Sequence, residues 1–186
     1  AAPDGSNVVI NEVYGGGGNS RAVFNRDFVE LYNPTDEAIS VEGWTLDQQS
    51  TKGNSGAATT LTGEVPAGGH LLIAGAGGDN GEELPGVDLE AGFNFSAKQA
   101  IAELTDADGE VVDLVGWGSA QNFEGAPAAA TSNTTSVQRA EDGVDTDDNS
   151  VDFTVDTPTP QASDDAADPG DGDDSEDGSD GDDGST

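Results

Sequence analysis

The sequence predicts an all-β domain, a sandwich or a barrel. Three observations carry that reading. Short apolar runs recur between clusters of Gly, Pro, Asn and Asp, which is how half-buried strands and their turns are written. About nine such runs follow one another at the spacing of a sandwich or barrel. Helix signals are sparse, while glycine is abundant, at 27 of 186 residues.

The first strands lie in Val8–Leu46. Val8–Tyr14 and Phe28–Tyr32 are apolar with one acid each, Glu12 and Glu30, and Gly15–Gly18 separates them. Asn33-Pro-Thr-Asp36 makes a turn into a third run, Ile39–Leu46, which carries Trp44. Thr59–Leu61 and His70–Ala74 read as further strands around the Pro66-Ala-Gly-Gly69 turn. The continuous apolar run His70-Leu-Leu-Ile-Ala74 suits a core strand. Gly75–Asp88 reads as a polar loop. Ala100–Leu104 and Val111–Trp117 form the best hairpin signal, joined through Asp108-Gly109. Ser119–Ser132 is irregular, and Pro127 argues against a long helix there. Thr134–Arg139 and Val151–Phe153 are the last strands. The expected core is Val8, Ile10, Leu31, Val41, Trp44, Leu46, Leu72, Ile101, Leu104, Val112, Leu114, Trp117, Val137 and Phe153.

Composition narrows the partners. The net charge is −33, with five basic residues against 38 acids. Such a field repels nucleic acid and anionic membranes and keeps a protein soluble and monomeric. Direct nucleic-acid binding is therefore not expected, and a protein or polysaccharide surface is the expected partner. No apolar window is long enough for a membrane-spanning helix. There is no cysteine, so no disulfide and no thiolate metal site. The Ala1-Ala-Pro-Asp4 start suits a mature end left after cleavage at a small-residue site, which points to an exported, extracellular protein.

Thr157-Pro-Thr-Pro160 closes the predicted domain, giving a body of residues 1–160 and a tail of 161–186. Residues 164–186 hold 11 acids and no base, so the remainder carries −22 of the net charge. A stretch so charged and so poor in apolar groups cannot offset the entropy of ordering and is expected to be disordered, a spacer or linker.

The motifs Ile10-Asn-Glu-Val13, Phe28-Val-Glu-Leu-Tyr-Asn33, Gly43-Trp44, Pro66-Ala-Gly-Gly69 and Val111-Val-Asp-Leu-Val-Gly116 resemble, as an ordered set, the lamin tail domain in its bacterial secreted form. Thr135-Ser-Val-Gln-Arg139 and Asp145-Thr-Asp-Asp-Asn149 extend the likeness, which covers roughly residues 7–160. The resemblance implies an immunoglobulin-like β-sandwich without catalytic activity, serving as an interaction or targeting module. It also implies a frequent setting, as an accessory domain of secreted nucleases of the endonuclease/exonuclease/phosphatase type, whose catalytic domain would lie outside this chain.

Four residue groups are candidates for chemistry. Gly15–Gly18 lacks the helix and the Lys-Ser/Thr of a phosphate loop and reads as a flexible connection. Glu12 and Glu30, inside apolar strands, could serve as the acid and base of a hydrolase. The structural alternative is a buried ion pair with Arg139, because buried charges need partners. His70, the only histidine, has no nucleophile motif and no second histidine for zinc, and a structural role is expected. Asp145, Asp147 and Asn149 stand at positions one, three and five of a calcium-loop pattern, and hard oxygens suit Ca²⁺. Ser150 replaces the usual glycine at six, so this is either a loop of another type or a solvated turn. Trp44 and Trp117 end or interrupt apolar runs and are expected in the core rather than on a stacking platform.

Overall fold

A computed structural model describes residues 4–163. The acidic segment expected to be disordered, 164–186, lies outside the described residues. Twelve strands and one helical turn follow in order: β1 Val9–Tyr14, β2 Arg26–Tyr32, β3 Ile39–Ser40, β4 Thr45–Gln49, β5 Ser55–Thr60, β6 Glu64–Val65, β7 His70–Gly77, β8 Leu89–Glu90, β9 Ala100–Thr105, β10 Val111–Trp117, β11 Ser136–Arg139, α1 Asn149–Asp152 and β12 Phe153–Asp156.

A six-stranded sheet runs β12-β11-β1-β2-β7-β8, and a four-stranded sheet runs β10-β9-β4-β5. One apolar cluster draws Ile10, Val29, Leu31, Ile73 and Val137 from the first sheet and Leu46, Ala102, Leu104, Val115 and Trp117 from the second. A single core shared by two sheets makes this an immunoglobulin-like β-sandwich. Every residue of the expected core is buried. Three of them, however, pack outside the sandwich interior. Leu72 joins Tyr14, Phe28 and Ala162, while Ile101 and Leu114 pack with Ala120. The run Ile39–Leu46 divides into β3 and the start of β4, and the strands absent from the sequence reading are β6 and β8, each of two residues and too short to show a period.

Two bulges decide which side chains face inward. In β1, Ile10 opposes Leu31 and Val13 opposes Val29, with a register shift between Ile10 and Glu12. The extra residue reverses the alternation, so Ile10 and Val13 share the core while Glu12 turns to the outer face. In β10, a shift between Val111 and Asp113 sets Asp113 opposite Leu104, in phase with the core residues Val115 and Trp117. Asp113 therefore points into the sandwich, where it is fully buried.

The expected 100–117 hairpin forms. Asp106 closes its turn by accepting the amides of Asp108 and Glu110, and Gly109 supplies the left-handed φ of 83°. The glycine run is not a loose connection. A Cβ at Gly17 would lie 2.0 Å from the Arg26 carbonyl carbon, and one at Gly16 would lie 2.7 Å from Asn133 Cα. Backbones pass too close there for any other residue.

The body also extends past the sequence boundary at 160. Pro158, Pro160 and Ala162 are buried against the outer face of the six-stranded sheet. We call residues 157–163 the strap. The tail assigned from 161 onward thus begins with three residues that belong to the fold.

Candidate functional site

Three polar sites stand out. The first lies on the outer face of the six-stranded sheet. Glu12 and Glu30 are cross-strand neighbours, each 1% exposed. Glu12 accepts from Ser136 Oγ at 2.6 Å, from the Thr159 amide at 2.8 Å and from Thr159 Oγ1 at 3.0 Å. Glu30 accepts from Asn11 Nδ2 and from the Gln161 amide, both at 2.8 Å. Ser163 closes the strap by donating its amide and hydroxyl to Asp88. Burial, with the Glu12 charge beside it, pushes Glu30 up to about 8, and burial raises Glu12 as well. The imidazole of His70 lies 3.6 Å from Glu30 and 3.5 Å from Asp142, and packs against the Tyr32 ring at a tilt of 46°, with ring centres 4.9 Å apart. The strap covers both glutamates, so the pair that suggested a hydrolase has no open face for a substrate.

The second site is inside the sandwich, and it corrects the expected ion pair. Arg139 does not meet Glu12 or Glu30. Its phase along β11 matches that of the core residue Val137, so it points inward, whereas the β1 bulge has turned Glu12 outward. Arg139 Nη2 instead bonds Asp113 Oδ2 at 2.8 Å, with both side chains fully buried. Asp113 Oδ2 also accepts the Ile10 amide at 2.7 Å, and Arg139 Nε donates to the Ile10 carbonyl at 2.9 Å. The pair thus completes the backbone of the β1 bulge. Arg139 Nη1 donates to the Val144 carbonyl, lies 3.6 Å from Asp152 and 3.9 Å from Asp145, and the guanidinium sits 4.5 Å from the centre of the Phe153 ring. Burial pushes Asp113 up, while Arg139 and the Ile10 and Leu114 amides pull it back.

The calcium pattern does not converge as written. Asp145 is buried, and its Oδ1 accepts the Asp147 amide. Asp147 is exposed and adopts a left-handed φ of 57°. Asn149 is fully buried but committed elsewhere: its Oδ1 accepts the amides of Gly116 and Glu124, and its Nδ2 donates to the Leu114 carbonyl. Asn149 is a clamp on β10, and its spacing from Asp145 is a consequence of the turn. Sequence reasoning missed Asp113 and Glu124, which join Asp145 in a group whose carboxylate oxygens all lie within 4.8 Å of one another.

The glycine run also resolves into structure. Asp27 is 1% exposed and accepts the amides of Gly17 and Phe95, at 2.9 and 2.8 Å. Burial holds it up at about 7. The Gly17 amide that might have met a phosphate is already engaged by a carboxylate.

The third site is an open cleft of about 500 Å³ at the Gln48–Gln49 end of β4. Gln48, Thr51, Asn94, Ser96 and Gln99 line it, and no lining residue is ionisable. Gln48 shapes it by exchanging two hydrogen bonds with the Asn94 backbone, at 2.8 and 2.9 Å. Asn94 and Ser96 are exposed. Trp44 and Trp117 are buried in the core as expected, with the Trp117 indole donating to Thr131 Oγ1. Among the described residues, no helix is long and apolar enough to cross a membrane.

No curated protein matches the chain. The profile of the family described as Lamin Tail Domain matches residues 1–119, which run from the amino terminus through β10. The ordered motifs, the sandwich and that match agree, and the chain belongs to the lamin tail domain family.

Proposed function

We propose that this domain is a non-catalytic recognition module of an exported protein, and that it binds a neutral, hydroxyl-rich ligand, a polysaccharide, in the cleft beside Gln48. One observation supports this reading above the rest. On a chain of net charge −33, the polar side chains of the cleft are all amides and hydroxyls, set beside Phe95 and Ala100, and none carries a charge. Neutral amide groups donate and accept at once, which suits a sugar hydroxyl. The volume falls in the range of small-ligand sites, and loops on a rigid sheet are where such sites are built. The buried carboxylates, by contrast, are engaged by backbone and hydroxyl donors, which suits structure rather than acid–base catalysis.

The test is retention of the full chain on insoluble polysaccharides at about 0.5 M NaCl, where electrostatic attraction is screened. Retention should be lost in the Asn94→Ala, Gln99→Ala double variant while its melting temperature stays close to the parent. Retention unaffected by the double variant would overturn the cleft as the site. Binding to a protein and to no glycan would replace the ligand class. The acidic segment 164–186 suits a tether, and the setting proposed for it is attachment to a secreted enzyme such as a nuclease. A reading frame that continues into a catalytic domain would establish that setting.

A further inference from the structure

We propose that the groove beneath the strap is a second recognition site, distinct from the cleft. It takes an extended, alternating-proline segment of a partner protein, flanked by lysine or arginine, and residues 157–163 fill it as an intramolecular stand-in. The strap shows what the groove reads, because it crosses the six-stranded sheet strand by strand. The Thr157 carbonyl accepts from Gln138 on β11. The Thr159 amide and hydroxyl donate to Glu12 on β1, and the Gln161 amide donates to Glu30 on β2. The Ser163 amide and hydroxyl donate to Asp88, which also accepts the amide of Leu72 on β7. Between these anchors, Pro158, Pro160 and Ala162 are buried.

This pattern selects its occupant. At residues 159, 161 and 163 the groove presents carboxylate oxygens, so an occupant must offer a donor at every second residue. At 158 and 160 the buried residue is proline, which has no N–H to satisfy. Ala162 joins Tyr14, Phe28 and Leu72 in one apolar cluster, where a much larger side chain has to displace buried rings. Gln161 is exposed, so that position is read through its backbone amide. Proline also pre-sets an extended backbone, which lowers the entropy lost on binding.

None of these contacts belongs to a sheet ladder, so a separate peptide can make every one of them. Charge identifies the partner. Exposed Asp156 opens the strap, and exposed Asp142 shares the Asn11 side-chain amide with Glu30 and lies 3.5 Å from His70. The strap itself is uncharged and continues in sequence as Asp164-Asp165, on a chain of net charge −33. That field opposes the continuation of the strap and draws in a cationic segment carrying the same prolines. Tethering gives the strap an effective concentration on the order of millimolar, so the groove is closed by default and opens to a partner that binds it more tightly.

The experiment uses the full chain with its strap unseated by Ala162→Asp, which sets a charge among Tyr14, Phe28 and Leu72. The variant is melted with a synthetic peptide, Thr-Pro-Thr-Pro-Gln-Ala-Ser followed by three lysines. The melting temperature should rise saturably toward that of the parent. At about 0.05 M NaCl, half-saturation should come at a concentration about 10-fold lower than for the peptide without lysines, and that gap should narrow at about 0.5 M. Alanine in place of both prolines, with the lysines kept, should weaken the rescue by about 10-fold or more. Gln161→Pro removes the amide given to Glu30 and keeps Ala162, and it repeats the test in a chain whose apolar cluster is intact. No rise in either variant up to about 5 mM peptide, above the tethered concentration, would overturn the site, as would an equal rise with the alanine peptide. A peptide that acts equally well without its lysines would overturn the cationic partner. So would a concentrated parent chain that sediments as a dimer lost in Ala162→Asp, since a second copy would then be the occupant.

Discussion

Two groups of buried acids lie on opposite faces of β1, and the chain neutralises them by different means. Outside, Glu12 and Glu30 stand side by side with no guanidinium; they are held by hydroxyls and by the amides of the strap, and the pair favours a bound proton. Inside, Asp113 is held by Arg139 and by the free amide of the β1 bulge. The outer solution is adjustable, because donors and protons can leave. The inner one is built into the backbone geometry. The inner region should therefore dominate stability, and the outer one should dominate its pH dependence.

The largest expected effect breaks the inner region. Arg139→Ala leaves Asp113 buried without its charge partner, a loss of about 3–5 kcal/mol by precedent for such pairs. For a chain of this size that lowers the melting temperature by some 2–4 °C per kcal/mol, roughly 6–20 °C in all. A double variant, Asp113→Leu with Arg139→Met, sharpens the point. In many proteins an apolar replacement recovers the loss. Here it should stay at least about 2 kcal/mol below the parent, since the Ile10 N–H and C=O both lose their partners. Full recovery in a melt with EDTA would show that the backbone role is unimportant.

The next effect belongs to the outer region. A chain ending after Thr157 loses the strap, its donors to Glu12, Glu30 and Asp88, and the Ala162 contact with Tyr14, Phe28 and Leu72. Hydrogen bonds to charged groups are worth about 1.5–3 kcal/mol each at best. With the chain entropy regained, a net loss of about 3 kcal/mol is expected in denaturant unfolding. An unchanged midpoint would mean that the strap is an ornament on the sheet.

The pH prediction follows from Glu30. Its folded value, about 8, lies above the ordinary 4.5, so the folded state holds a proton that the unfolded state has released. Stability then falls as pH rises from about 4.5 and levels off above 8. Glu30→Gln should flatten that fall between pH 5 and pH 8 by on the order of 2 kcal/mol, less than the bare shift implies because Glu12 shares the titration. Asp27 has the same sign and should supply part of the slope that remains. Parallel pH profiles for parent and variant would sink the assignment.

How much of this was legible depends on parity. Alternation and turn chemistry sufficed for the hairpin at Asp108-Gly109 and for a core that proved buried throughout. They could not rank the acids. Glu12, Glu30 and Asp113 look alike in sequence, one carboxylate in each apolar run. Counting by twos from Ile10 puts Glu12 inside, and counting by twos from Val111 puts Asp113 on the face of Val111 and away from Val112. A one-residue bulge in each strand reverses both counts, and nothing in Val-Ile-Asn-Glu or Val-Val-Asp-Leu marks a bulge. Arg139 reads in the sequence as the partner of Glu12 and Glu30, and that reversal hides its actual partner, Asp113. The strap was illegible for another reason. Three of its contacts are made by backbone amides, which carry no sequence signature, and the Thr159 and Ser163 hydroxyls that join them stand in a stretch with no period.

The smallest effect tests the outer region alone. Thr159 gives Glu12 two hydrogen bonds, one from its amide and one from its hydroxyl. Thr159→Val keeps the shape and the amide and removes the hydroxyl, so the expected loss is about 0.5–1.5 kcal/mol, that of one hydrogen bond. The loss should not be constant with pH. Burial raises Glu12 and the Thr159 donors hold it down, so removing one donor raises it further. The folded state then resists ionisation more strongly, and the variant should lose more at pH 8 than at pH 5. The same pair of melts on Arg139→Lys, which alters the inner region, should show a larger loss with a different pH dependence. If Thr159→Val costs the same at both pH values, Glu12 keeps its charge state across that range, and the proton on the outer face belongs to Glu30 alone.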